Sequence, residues 1–257
     1  MQIDEFLTLV RNRRSVRRFK PEPVPDDYIE KILEAGRWAM SGANAQPWEF
    51  IVVRDKGIQN KIADAWLEPR REAHVIEQTR SQELIHHQLR RPPVSPGFKD
   101  APLLIVVVGD KRTYQATIIS ANFIHLETDP GAIYLKNMAN AQHNMHLAVA
   151  ALGLGSQWIS VDSVWVQSLK AILDVPPVLD IHTIVAVGYP AYEPVPNYRR
   201  EIDEIVHFDR YDKRKYRSGE DIIRFLHDLR GRTKSAYGKE NLPQATTKLR
   251  LTGNNLV

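Results

Sequence analysis

The chain has 257 residues, 43% hydrophobic and 26% charged, with a formal net charge of +4 and no cysteine. This is the composition of a soluble globular protein able to bury a sizeable core, and it excludes disulfides, thiolate metal sites and a cysteine nucleophile. No apolar run reaches the roughly 20 residues of a membrane span and the opening MQIDEFLTLV carries no leader pattern, so a cytoplasmic protein without membrane contact is expected.

Ile3, Phe6, Leu7 and Val10 fall at i, i+3, i+4 and i+7, which predicts a short amphipathic helix ending near Arg11–Arg14. Pro21, Pro23 and Pro25 keep the following stretch extended. Asp26 or Asp27 can cap a second helix with Ile29, Ile32, Leu33, Gly36 and Met40 on one side. SGANAQPW reads as a loop and EFIVVR as a strand. Residues 57–91 read as one charged helical stretch ending at Pro92–Pro93.

LLIVVVG (103–109) is a continuous apolar run, the pattern of a strand covered on both faces, and 111–132 give no clear pattern. An alanine-rich helix is expected over 133–153, then a strand in LGSQWISV, a helix in VWVQSLKAIL and a second buried strand over 181–188. IDEIVHF reads as extended. Ser218 and Asp221 resemble a capping box opening the helix EDIIRFLHDLR, and 231–257 read as a polar arm or disordered tail. No repeat and no clear linker interrupts the chain. The pattern is one mixed-sheet α/β or α+β domain with a C-terminal extension, divided for description into 1–212 and 213–257.

The charge is uneven: residues 199–257 hold 14 Lys/Arg against 9 Asp/Glu, leaving the rest about neutral. A second concentration is RNRRSVRRFK (11–20), which could be a solvated patch, a nucleic-acid contact or a phosphate clamp. Other chemistry is thinly supplied. Gly153-Leu-Gly155 is a fragment of a dinucleotide fingerprint without the rest, no Walker A sequence or nucleophile elbow occurs, and Glu83/His86, Glu204/His207 and the His143/His146 pair lack the context of a metal site. A bound organic cofactor would supply the missing reactivity. Arg13, Arg14, Ser15 and Arg17 lie within five residues, and two guanidinium forks with a hydroxyl can converge on one phosphate.

RRSVRRF, then SGANAQPWEFIVV, GLGSQWIS, VAVGYPA and RREIDEIVHFDRY resemble the nitroreductase family of FMN-dependent oxidoreductases, in the family's order and across residues 11–211. The resemblance implies an α+β nitroreductase-like fold, a central mixed or antiparallel sheet flanked by helices, in an intertwined homodimer with FMN at the subunit interface. It implies FMN contacts from Arg13, Arg14, Ser15 and Arg17, with Arg17 near the N1/O2 edge of the ring. Ser41, Gly42, Ala43 and Asn44 would reach the flavin from the partner subunit. Trp158, Ile159 and Ser160 would pass the ring, a backbone N–H facing N5, and Arg199 and Arg200 would reach the phosphate. Gln46-Pro47-Trp48 reads as structural, while Met40 and Glu201 stand where the family commonly has proline.

The implied activity is ping-pong: NADH or NADPH reduces FMN, then a planar electron-poor oxidant such as a nitroaromatic or quinone is reduced, with no catalytic side chain and no metal. Segments 57–100 and 111–132 are expected as lids, and EDIIRFLHDLR is expected to pack on the partner protomer. A deiodinase of the same family would use a lid tyrosine, and residues 51–113 contain none. A dimethylbenzimidazole synthase, a non-catalytic flavin-binding protein and a basic nucleic-acid-binding module are the alternatives, the last predicting no flavin.

Overall fold

A computed structural model describes residues 2–86, 89–113, 116, 130–194 and 198–232. The helices are α1 (Ile3–Asn12), α2 (Asp26–Arg37), α3 (Lys56–Glu77), α4 (Pro130–Ala151), α5 (Val166–Ile172), α6 (Ile202–Ile205) and α7 (Gly219–Arg232). The strands are β1 (Trp48–Val53), β2 (Leu103–Gly109), β3 (Gly155–Ser160) and β4 (Asp180–Gly188), in the order β1–β2–β4–β3 with every pairing antiparallel.

All seven residues of β2 are buried although its neighbours run antiparallel, because helices cover both faces of the sheet. The two-residue period of the strands sorts the side chains. Leu103, Ile105 and Val107 of β2, with Val185 and Val187 of β4, pack against Ile29 and Ile32 of α2 and Met138, Ala141 and Met145 of α4. Leu104, Val106 and Val108, with Ile184 and Ala186, face Ile62 of α3, Leu169 of α5 and Trp165 just before it. The chain therefore has two apolar cores, one on either side of a single sheet.

Several boundaries differ from the sequence expectation. The charged helix ends at Glu77, where the buried Glu77 carboxylate accepts the His86 amide at 2.8 Å and folds the chain back. Met40 lies beyond α2 and is 79% exposed, and the helix starts after Pro25 without a side-chain cap. The stretch expected to be extended at IDEIVHF begins instead with the helical turn α6, opened by a capping box in which Glu204 Oε2 accepts the Glu201 amide at 2.7 Å. The Ser218–Asp221 pair bonds reciprocally at the start of α7. Most of 111–132 and all of 233–257 lie outside the described residues.

The chain forms two compact units, Met1–Pro196 and Asn197–Val257. The first holds the sheet and α1–α5; the second holds α6 and α7.

Candidate active site

The basic segment after α1 is stitched to the sheet by its backbone. Ser15 bridges to Ser156 at the start of β3, and the Val16 amide donates to the Ser156 carbonyl at 2.9 Å. Phe19 bridges to Pro190, the Lys20 amide donates to Tyr189 O and the Ala191 amide to Arg18 O. The Tyr192 hydroxyl accepts the Arg17 amide at 3.4 Å. Val16 and Phe19 are buried in the core on the α3 side. Two glycines make room for this segment. A Cβ on Gly155 would come within 2.5 Å of a Val16 methyl, and one on Gly97 would lie 2.1 Å from the Arg17 carbonyl oxygen. The Gly-Leu-Gly fragment is thereby explained without a dinucleotide: Gly153, at φ +73°, ends α4, and Gly155 admits Val16.

Beside this segment is a hollow of about 170 Å³ lined by Asn12, Arg13, Arg14, Gly153 and Ser156 among others. Arg14 Nη1 donates to the carbonyls of Arg11 and Arg13, while its Nε is buried and has no partner among the described residues. A buried guanidinium N–H without an acceptor suits an anion, so the segment fits a phosphate group. His146 of α4 lies on the other side of Ser156. Gln142 Nε2 donates to His146 Nε2 at 3.3 Å, which leaves Nδ1–H to donate to Ser156 Oγ at 2.7 Å. Burial first, then Arg13 and His143, push the His146 pKa down to about 4, so the ring is neutral near pH 7.

β3 continues from Ser156 as an edge strand. Because the Ser156 carbonyl points away from β4 to receive Val16, antiparallel parity turns the N–H groups of Trp158 and Ser160 toward the same free edge. Ile159 is buried, its carbonyl accepting Thr183 Oγ1 at 2.8 Å, while the Trp158 side chain is 54% exposed. Ser160 lies about 13 Å along the strand from the clamp at ~3.3 Å per residue. The structure thus brings Arg13, Arg14, Ser15 and Arg17 onto one edge with Trp158, Ile159 and Ser160.

The loop Ser41–Asn44 is placed elsewhere. It contains the 3₁₀ turn Gly42–Asn44, and Ala43, Asn44 and Gln46 have positive φ. Ser41 Oγ accepts the Gln46 amide at 3.1 Å. Two asparagines of α4 that the sequence reading did not single out fasten the loop: Asn137 Oδ1 accepts the Gly42 amide at 3.0 Å, and Asn140 Nδ2 donates to the Met40 carbonyl at 3.1 Å. A third, Asn144, donates to the Ala35 carbonyl at 3.1 Å. Their spacing of three and four residues was the readable signal. Asn137 and Ala150, a wall of the clamp hollow, are separated along α4 by about 20 Å at ~1.5 Å per residue. Within one chain, the loop is held at the middle of that helix and the hollow lies near its C-terminal end.

Arg199 and Arg200 belong to the second unit, where Arg199 Nη1 donates to Tyr198 O and Arg200 Nη2 to Glu204 O. Among the described residues, no group of three His, Cys, Asp or Glu could hold a metal ion, and no helix is long and apolar enough to cross a membrane.

A two-core antiparallel sheet with a basic segment stitched to its edge strand defines a nitroreductase-type α+β fold. Residues 10–189 match the Nitroreductase family, and the chain belongs to that family. It is 30% identical over 205 residues to an NADH dehydrogenase of Thermus thermophilus, covering 77% of this chain and 93% of the relative. It is 29% identical over 189 residues to the 5,6-dimethylbenzimidazole synthase of Rhodospirillum rubrum, covering 73% and 83%. Among solved structures, an FMN-dependent nitroreductase of Clostridium difficile superposes with a TM-score of 0.57 at 24% identity, covering 80% of this chain and 99% of that one.

Proposed function

We propose that this protein is an FMN-dependent NAD(P)H oxidoreductase acting on planar, electron-poor acceptors such as nitroaromatics or quinones. The observation that carries the reading is the buried Arg14 Nε, without a partner among the described residues, on a segment fixed to the start of β3. Arg13, Arg14 and Ser15 would hold the phosphate of FMN. Arg17 would hold a positive charge at the ring edge, and the outward N–H groups of Trp158 and Ser160 would line the ring. When bound, FMN supplies hydride acceptance and donation at N5. The chain's part is to bind, orient and balance charge.

The active unit on this reading is a homodimer in which Ser41, Gly42, Ala43 and Asn44 of one subunit serve the clamp of the other. Two observations support it. Asn137 and Asn140, which hold the loop, lie about 15–20 Å along α4 from Ala150 in the wall of the hollow. Trp38 and Met40, leading into the loop, are 72% and 79% exposed, and α1 leaves Ile3, Phe6, Leu7 and Val10 uncovered. A second subunit would cover such surfaces.

The test is an absorption spectrum of the purified protein, then anaerobic addition of NADH or NADPH. Flavin bands near ~450 nm that bleach on addition and return with an added quinone are expected. A protein that stays colourless after incubation with FMN overturns the reading.

A further inference from the structure

The loop 41–46 does not rest in a conformation its residues prefer. Five described residues other than glycine have positive φ, and three of them, Ala43, Asn44 and Gln46, fall within this one loop. Alanine gains nothing locally from that region, whereas Gln46 is held inside the loop, its amide donating to Ser41 Oγ and its Nε2 to the Asn44 carbonyl. Contacts from outside the loop come from one stripe of α4. Asn137, 3% exposed, accepts the Gly42 amide through Oδ1, and Asn140 donates to the carbonyl of Met40 through Nδ2. The two bonds grip the chain on either side of Ser41, one at a carbonyl and one at an N–H. Asn144 continues the stripe onto Ala35, near the end of α2, and so fixes where the loop departs. Gly36 allows the approach, since a Cβ there would lie 2.9 Å from Met145 of α4. Asn137 Nδ2 is itself buried without a partner among the described residues, so the contact to the loop runs through its oxygen.

We infer that Asn137 and Asn140 are positioning residues: they hold residues 40–44 in the strained shape in which the loop meets the flavin, so that binding need not order it. The inference rests on the FMN reading above. It makes opposite demands on the two asparagines. Aspartate keeps the oxygen used at 137 and loses the nitrogen used at 140.

Asn137→Asp, Asn137→Leu, Asn140→Asp and Asn140→Leu are compared with the parent in two measurements. The first is hydrogen exchange at the Gly42 amide in FMN-free protein; the second is FMN affinity by fluorescence. Asn137→Leu should speed Gly42 exchange and raise the FMN dissociation constant, each about tenfold or more, while Asn137→Asp, which keeps the acceptor oxygen but buries a carboxylate, should retain more Gly42 protection than Asn137→Leu. At position 140 both variants should weaken FMN about equally. Asn140 is half-buried, so its variants report even if Asn137→Leu fails to fold. Unchanged FMN affinity in Asn140→Leu, or in a folded Asn137→Leu, overturns the inference. So does Gly42 exchange in a folded Asn137→Asp as fast as in a folded Asn137→Leu. If the parent itself binds no FMN, the flavin reading has failed, whereas Gly42 exchange still reports the loop contact by itself.

Discussion

The two parts of the candidate site are built in different ways. The clamp is a piece of the sheet: its backbone bridges to β3 and to the chain after β4, its Val16 and Phe19 are core residues, and two glycines are kept small for it. The loop 41–46 has no strand to lean on and is gripped by asparagine side chains of α4 against its own backbone preference. A clamp of this kind should fail by steric displacement or together with the core around it. A loop of this kind should respond to single hydrogen bonds and to local backbone preference, and the rest of the fold should notice little.

The largest expected effect tests whether the two parts belong to different chains. A clamp variant, Arg13→Ala with Arg14→Ala, and a loop variant, Gly42→Pro, should each be nearly inactive as a pure protein. Mixed and re-equilibrated in equal amounts, half of the dimers would contain one of each, and each of these would regain one intact site beside one doubly broken site. Activity should return to about a quarter of the parent's, as a two-fold dimer with shared sites requires. No recovery under conditions where subunits exchange would place both halves in one chain.

Displacing the clamp comes next. Gly97→Ala places a methyl 2.1 Å from a backbone oxygen that cannot rotate aside, and Gly155→Ala crowds Val16 at 2.5 Å. Each should lower unfolding free energy by about 1–3 kcal/mol in urea titrations and reduce flavin content in step. Equal flavin content at reduced stability would separate the clamp from the core that carries it.

Acid should also act on the clamp before the loop. The His146 pKa is about 4 in the folded chain, against an ordinary value near 6.5 once unfolded. Between those values the unfolded chain takes up a proton that the folded chain refuses, so stability falls as pH drops through that window, by up to roughly 3 kcal/mol. His146 touches Ser156, the partner of Ser15 and Val16. Flavin release should therefore follow the same acid limb while Gly42 stays protected, and His146→Gln should flatten the limb in urea titrations from pH 7 to 4.

The same contrast explains what could be read in advance. Backbone elements declare themselves by period. Ile29, Ile32 and Gly36 placed α2, and LLIVVVG placed β2. What depends on one side chain meeting one distant backbone atom has no period. The end of α3 is set by Glu77 reaching His86, and α6 by two glutamates over four residues, so both were misjudged. The asparagines at 137, 140 and 144 share a helix face, which was visible. That they hold a loop about a hundred residues earlier became visible only with the fold in place.

The smallest effect is the sharpest probe of the loop. Ala43 sits at φ 53° and ψ 23°, a region that costs an ordinary L-residue roughly 1–2 kcal/mol. Glycine would remove that cost while adding about 0.4–1 kcal/mol of unfolded-state entropy, so Ala43→Gly should leave the protein about 0.5 kcal/mol more stable. Asn44 lies at φ 52°, but asparagine tolerates this region, so Asn44→Gly has little strain to relieve and should be neutral or slightly destabilising. The pair differs in what the backbone is asked to do at neighbouring residues. A stability gain at 43 without one at 44, measured by urea unfolding, would show that the grip of α4 holds real strain. Equal responses would mean the loop takes this shape unaided, and that its asparagine contacts follow the shape and do not impose it.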